Sequence, residues 1–211
     1  MTPRAGIRTD LRDADWLVRP ATRAVFDALS VSGFEVRAVG GAVRNALIGK
    51  AVADVDLATN AAPDEVIAAV TRAKLRAIPT GLDHGTVTVV SDHIAHEVTT
   101  LREDTETDGR RAKVAFTADW AADARRRDFT INALYCDRDG VIHDPLGGLP
   151  DLAAGRVRFI GDPHARIRED YLRVLRFFRF TAEYAGGVAD RDGLTACNAE
   201  RSGLARLSGE R

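Results

Sequence analysis

The chain predicts an α/β (α+β) fold in which a mixed β-sheet with flanking helices is followed by a mostly helical segment. Three observations carry this. Apolar runs of strand length alternate with helical stretches up to about residue 150. Asp139-Gly140 marks a hairpin between two such runs. From Asp151 the pattern turns helical apart from Val157 to Ile160. A boundary near Leu149-Pro150 divides the chain into regions 1–150 and 151–211.

The elements follow in order. Ala21 to Leu29 reads as a helix leading to a strand at Val36-Arg37-Ala38-Val39. Gly40-Gly41 makes a turn, and Ala42 to Ile48 a helix closed by Gly49. Asn60-Ala61-Ala62-Pro63 opens another helix through Ala73, with proline in its first turn. Strands are expected at Leu75 to Ile78, Thr86 to Val90 and Ala95 to Thr100, and Leu134-Tyr135-Cys136 pairs with Val141-Ile142. Arg102 to Arg111 is so dense in charge and so poor in apolar periodicity that it reads as a mobile loop.

Composition narrows the function. A chain of 211 residues, 45% hydrophobic, holds one good-sized domain and part of another. Its formal charge of −1 gives no global basicity, so any RNA contact rests on local clusters such as Arg125-Arg126-Arg127 or Arg166 to Arg179. Cys136 and Cys197 form neither a metal-ligand pattern nor a disulfide framework, and no apolar stretch spans a bilayer or follows a signal-peptide n-region, so a cytoplasmic protein without a membrane partner is expected. His93 and His96 read as an exposed strand pair rather than metal ligands.

The chemistry concentrates at Asp54-Val55-Asp56. In an extended strand the two carboxylates project from one face, and a divalent cation relieves their repulsion. Hard oxygen ligands in so small a number suit Mg²⁺, which completes its shell with water and substrate phosphates. Upstream, Gly40 and Gly41 allow a phosphate to approach the backbone at the start of the next helix, and Arg44 lies within reach to fork onto its oxygens. Gly49-Lys50 is followed by Ala51, so no P-loop competes.

Gly40-Gly41-Ala42-Val43-Arg44-Asn45 followed by Asp54-Val55-Asp56-Leu57 resembles the first motif of the class II tRNA nucleotidyltransferases, the CCA-adding enzymes, which share it with bacterial poly(A) polymerases. The resemblance continues through Gly85-Thr86-Val87-Thr88-Val89, Glu97-Val98-Thr99-Thr100-Leu101-Arg102, Arg126-Arg127-Asp128-Phe129-Thr130-Ile131-Asn132-Ala133 and Glu169-Asp170-Tyr171-Leu172-Arg173-Val174-Leu175-Arg176, covering roughly residues 20 to 185. It implies a nucleotidyltransferase palm as the head, then a helical neck that is cut short here. It implies that the polar loop helps the enzyme switch between nucleotides, and that Arg127, beside Asp128, contacts the triphosphate.

Several residues carry two readings. Glu97 is either a third carboxylate near the metal or attacking hydroxyl, or an edge-strand surface residue. Asp128 is either a site residue or a helix cap. Tyr171, Val174, Leu175 and Phe178 recur at helical spacing and predict a buried stripe, with Asp170 and Arg173 on the opposite face. That pair forms either an ordinary salt bridge one turn apart or a base-reading device. In the second case the carboxylate accepts from the exocyclic amino group of cytosine or adenine while the guanidinium donates to ring acceptors, admitting CTP and ATP and excluding UTP and GTP. The resemblance assigns this role to Asp170 and Arg173, with Arg176 and Arg179 as further nucleotide contacts.

The reading is therefore template-independent addition of C and A to the 3′ end of tRNA, with two metal ions held by Asp54 and Asp56 and pyrophosphate leaving. Rivals are a poly(A) polymerase, a partial CC- or A-adding enzyme, and a catalytically silent RNA-binding module. Ser91-Asp92-His93-Ile94-Ala95-His96 stands where a poly(A) polymerase carries a Gly-Arg-Arg-Phe-like run, and Asn45 stands where the family usually has Asp. The chain ends at Leu204 to Arg211, where the family continues into helices that clasp tRNA, so an N-terminal portion is expected.

Overall fold

Several helices start on a proline, at Pro20, Pro63 and Pro163, or behind an aspartate whose side chain accepts from their first turn, at Asp119 and Asp190. The computed structural model describes residues 6–108 and 111–207. Helices α1 (Asp15–Val18) and α2 (Pro20–Val31) lead into β1 (Val36–Val39), α3 (Gly41–Leu47), β2 (Leu57–Thr59) and α4 (Pro63–Arg72). Next come β3 (Arg76–Gly81), β4 (Thr86–Ser91), β5 (Ile94–Thr100), β6 (Arg102–Asp108), β7 (Arg111–Phe116) and α5 (Trp120–Arg125). Then follow β8 (Tyr135–Cys136), β9 (Ile142–His143), α6 (Gly148–Ala153), α7 (Pro163–Glu169), α8 (Leu172–Tyr184) and α9 (Arg191–Glu200). No described helix is long and apolar enough to cross a membrane.

Seven strands form one mixed sheet in the order β3-β4-β5-β2-β1-β8-β9, with β2 and β5 parallel and every other pair antiparallel. On one face α2 and α4 bury Val25, Phe26, Leu29, Val66 and Val70 against Val87, Val89 and Val98. Glu65 braces the start of α4 by accepting from the Ala62 amide at 2.7 Å. The opposite face carries a smaller cluster around Val39, Ala58, Leu101 and Tyr135. Register makes that second face the important one. Leu57 lies opposite Val98, which brings the segment just before β2 alongside Glu97.

The helical C-terminal half is tied to the sheet by aromatic rings. Phe129 packs against Phe159, Phe177 and Phe180 with centroids 4.9, 6.3 and 5.4 Å apart, and Phe129 and Phe159 also form an isolated β-bridge. The expected boundary at Leu149-Pro150 falls inside α6, and one apolar cluster runs from Leu11 to Cys197.

Three expectations are corrected. The charged segment after Leu101 is a two-stranded hairpin, with Arg102 opposite Phe116 and Glu103 opposite Ala115, because backbone pairing needs no apolar face; Gly109 and Arg110 lie outside the described residues, as do residues 208–211. The buried stripe of α8 is Val174, Phe177, Phe180, Thr181 and Tyr184, while Leu175 and Phe178 are 47% and 46% exposed. Adjacent phenylalanines offered two overlapping stripes, and stacking of Phe177 on Phe159, at 5.4 Å and 19°, selects between them. His96 is buried, not exposed, because β5 turns His96, Val98 and Thr100 inward, whereas His93 sits in the turn that precedes them.

His96 Nε2 lies 3.1 Å from the Thr22 hydroxyl, and burial holds the imidazole below its ordinary value of 6.5. The unfolded chain therefore takes up the proton first, so the stability contributed by neutral His96 is complete above pH 6.5 and declines as pH falls below it. Urea unfolding followed from about pH 7.5 to about pH 5 should show this decline, and His96→Gln should flatten it. Equal slopes for the two proteins would contradict the assignment.

Candidate active site

The turn between β1 and α3 depends on glycine. Gly40 has φ 69° and ψ −118°, a conformation other residues rarely adopt, and its amide donates to the Leu134 carbonyl at 3.1 Å. A Cβ added to Gly40 would lie 3.8 Å from Arg127 Nη1, and one on Gly41 would lie 3.8 Å from Arg44 Nη2. The two glycines thus form a bare backbone floor flanked by guanidinium groups.

Asp54, Val55 and Asp56 are exposed, buried and exposed in turn, so the valine anchors the segment while both carboxylates face outward. They precede β2 instead of lying within it, and the Asp56 carbonyl accepts from the Val39 amide at 3.0 Å. Surrounding atoms desolvate the Asp56 carboxylate and push its pKa up. Glu97 adds to that rise, Arg127 opposes it, and Asp54 contributes a little more. Among the described residues no three His, Cys, Asp or Glu side chains form a group able to hold a metal ion, and Glu97 acts on Asp56 through its charge. Two carboxylates and several open positions match a cation whose remaining ligands are water and phosphate.

The arginines are held by acids that differ in how visible they are in the sequence. Asp123, only 1% exposed, accepts from Arg126 Nε at 2.8 Å through one oxygen, and from Arg127 Nη2 at 3.0 Å and the Tyr135 hydroxyl at 2.8 Å through the other. Burial alone would push the Asp123 carboxyl up; Arg127, Arg126 and Tyr135 outweigh it and hold it below the carboxylate range. Because the short turn Thr130–Asn132 has Phe129 at its cap position with no side-chain cap hydrogen bond, Asp128 does not act as a helix cap. One oxygen accepts from the Phe129 amide and from Asn132 Nδ2, and the other from Arg176 Nε at 2.7 Å and Nη2 at 2.6 Å.

Asp170 and Arg173 do not form the one-turn salt bridge. The chain breaks between α7 and α8, where Asp170 takes an extended backbone and its carboxylate accepts from the Leu172 amide at 3.0 Å. Arg173 bonds Glu169 at 2.6 Å and the Arg166 carbonyl at 2.8 Å. Asp170 therefore makes no ion pair with Arg173, and both line the same cavity.

That cavity, of about 420 Å³, is lined by Gly40, Gly41, Arg44, Asp56, Arg127, Asp128, Asn132, Asp170, Arg173, Arg176 and Phe180. Asp54 and Glu97 lie beside it next to Asp56, and Arg179 lies outside it, exposed, with its guanidinium 5.2 Å from the Phe180 ring. Sequence reasoning gave no role to Asn132, Phe180, Asp123 or Tyr184. Asp123 left a signal in its spacing, three and four residues before Arg126 and Arg127 on one helical turn; Tyr184 left none.

The sequence and the fold match known proteins. Residues 36–158 match the family described as the poly A polymerase head domain. The chain is 47% identical over 181 residues to the mitochondrial CCA tRNA nucleotidyltransferase 1 of Danio rerio, covering 84% of this chain and 42% of that protein. It is 44% identical to a CCA-adding enzyme of Leuconostoc citreum, covering 78% and 40% respectively. The Bacillus stearothermophilus CCA-adding enzyme in complex with CTP superposes with a TM-score of 0.80 at 35% identity, over 90% of this chain and 46% of that one. A tRNA nucleotidyltransferase complexed with a primer tRNA and an incoming ATP analog gives 0.70 at 28% identity, over 85% and 51%. The chain thus spans less than half the length of these curated relatives.

Replacing Asp123 by Asn strands two guanidinium groups in a buried site. It should lower unfolding free energy by about 3–5 kcal/mol, measured by denaturant titration at neutral pH. A loss below about 1 kcal/mol would show that Asp123 does not organise the arginines.

Proposed function

Because the chain belongs to the poly A polymerase head-domain family, we propose that it is the catalytic head, residues 1–150, and part of the neck, residues 151–211, of a CCA-adding tRNA nucleotidyltransferase. Its substrates in this reading are CTP, ATP and the 3′ end of tRNA, and the cytoplasm is its compartment. One observation carries the reading: residues from three separated motifs line a single cavity, with an outward-facing acidic pair at one side and Asp170 and Arg173 among its walls.

In this reading Gly40 and Gly41 leave room for the triphosphate, and Arg44 and Arg127 oppose its charge. Asp170 accepts from the exocyclic amino group of cytosine or adenine and Arg173 donates to ring acceptors, so a uracil or guanine carbonyl would face an acceptor instead. Arg176, fixed by Asp128, steadies the same wall, and Arg179 is assigned to the outer approach to it. Asp54 and Asp56 are the residues that would hold Mg²⁺; burial, and after it the charges of Glu97 and Asp54, disfavour the ionised Asp56 carboxylate, a cost that a bound cation would relieve. When bound, the cation supplies charge neutralisation at the departing pyrophosphate and lowers the pKa of the attacking hydroxyl. Glu97 adds to the negative field that favours the cation.

The direct test incubates the 211-residue chain with Mg²⁺, labelled CTP or ATP, and tRNA lacking its last three nucleotides. Stepwise addition limited to three nucleotides supports the reading. Long adenylate tracts would indicate a poly(A) polymerase, addition of only C or only A a partial enzyme, and no incorporation a silent module. Asp54→Ala and Asp56→Asn should each abolish incorporation with unchanged thermal melting; retained turnover would remove the metal assignment. Asp170→Ala should relax preference for CTP over UTP by about tenfold or more, because an unpaired buried acceptor no longer penalises the wrong base.

A further inference from the structure

Three of the cavity's four arginines meet a carboxylate: Arg127 pairs with Asp123, Arg173 with Glu169 and Arg176 with Asp128. Arg44 differs from them. It is buried, and its hydrogen bonds end on neutral oxygens: Nε and Nη2 on Asn45 Oδ1 at 3.2 and 3.0 Å, Nη1 on Asn132 Oδ1, and Nη2 on the Tyr184 hydroxyl at 2.7 Å. Glu183 and Asp128 act on it only at longer range, and burial lowers its pKa without discharging a guanidinium.

Tyr184 contributes twice to this arrangement. Its ring lies 4.2 Å from the Arg44 guanidinium carbon, and its hydroxyl accepts from Arg44 while donating to Asn45 Oδ1 at 3.1 Å. Lys50 approaches the same ring at 4.5 Å, and its ammonium also donates to the Glu183 carbonyl at 3.2 Å. A π face and a neutral hydroxyl stabilise a cation without cancelling its charge, whereas a carboxylate in the same place would cancel it.

We infer that Tyr184 is a positioning residue for nucleoside triphosphate binding: from the last turn of α8 it holds Arg44 beside the glycine floor with its full charge presented to the polyphosphate. The inference rests on the nucleotidyl transfer reading above and adds to it a residue that touches neither substrate nor metal. Asn45 takes part in the same arrangement. The neutral amide takes the Tyr184 hydroxyl and two Arg44 N–H groups at once and leaves the guanidinium net positive.

The test is binding of CTP and of CMP, each with Mg²⁺, to the 211-residue chain and to Tyr184→Phe and Tyr184→Leu, by isothermal titration. Tyr184→Phe keeps the ring and loses the hydroxyl, and should weaken CTP about tenfold, the scale of one hydrogen bond to a charged group. Tyr184→Leu loses both and should weaken CTP further, while CMP, which lacks the outer phosphates, binds both variants within about twofold of the original chain. If Tyr184→Leu fails to fold, Tyr184→Phe alone decides. Unchanged CTP binding by Tyr184→Phe, or equal weakening of CTP and CMP, overturns the inference while leaving the proposed function standing. An original chain that binds no CTP overturns both.

Discussion

The structure depends on holding several guanidinium groups around one cavity without letting them repel each other or collapse onto the acidic pair. Buried cations are costly unless each is paired or bonded to oriented acceptors. The chain meets this with local carboxylates: Asp123 takes Arg126 and Arg127, Asp128 takes Arg176, and Glu169 takes Arg166 and Arg173. Two of these acids are themselves anchored, Asp123 by Tyr135 and Asp128 by Asn132 and the Phe129 amide. The outcome is a set of donors whose directions are fixed before any ligand arrives, the condition under which electrostatic stabilisation is most effective.

The same arrangement gives the sheet its role. Parallel pairing of β2 with β5 brings Glu97 alongside Asp56, and antiparallel pairing of β1 with β2 and β8 sets the glycine turn beside both. The aromatic cluster around Phe129 then carries α8 against this edge, so that Arg173 and Arg176 face the glycines across the cavity. Substitutions in the rings are therefore expected to act on the site through the tilt of α8 as much as through lost burial.

Much of this was legible in the sequence because it is local. The β1 strand falls on the predicted residues, Gly41–Leu47 lies within a residue of the predicted helix, and the acidic pair shares an outward face because residues two apart alternate around buried Val55. What stayed hidden depends on partners distant in the chain. Spacing could not reveal that Arg44 rests on Tyr184, 140 positions away, or that Phe177 and not Phe178 faces the core, a choice made by Phe159. Charge density disguised the hairpin after Leu101, since strand pairing draws on backbone groups that composition does not report. His96 was hidden by its own polarity, and the strict alternation of β5 places it inward beside Thr22.

The claim on which the account turns is that the exposed pair before β2 and the glycine turn together receive a divalent cation and the phosphates of one nucleotide. Diffraction from crystals soaked with Mn²⁺ and CTP, recorded at the manganese absorption edge, addresses it directly. The account predicts anomalous density between Asp54 and Asp56, with the triphosphate lying over Gly40-Gly41 and the base against Asp170 and Arg173. Manganese bound elsewhere, or a nucleotide seated away from the glycine turn, would contradict it.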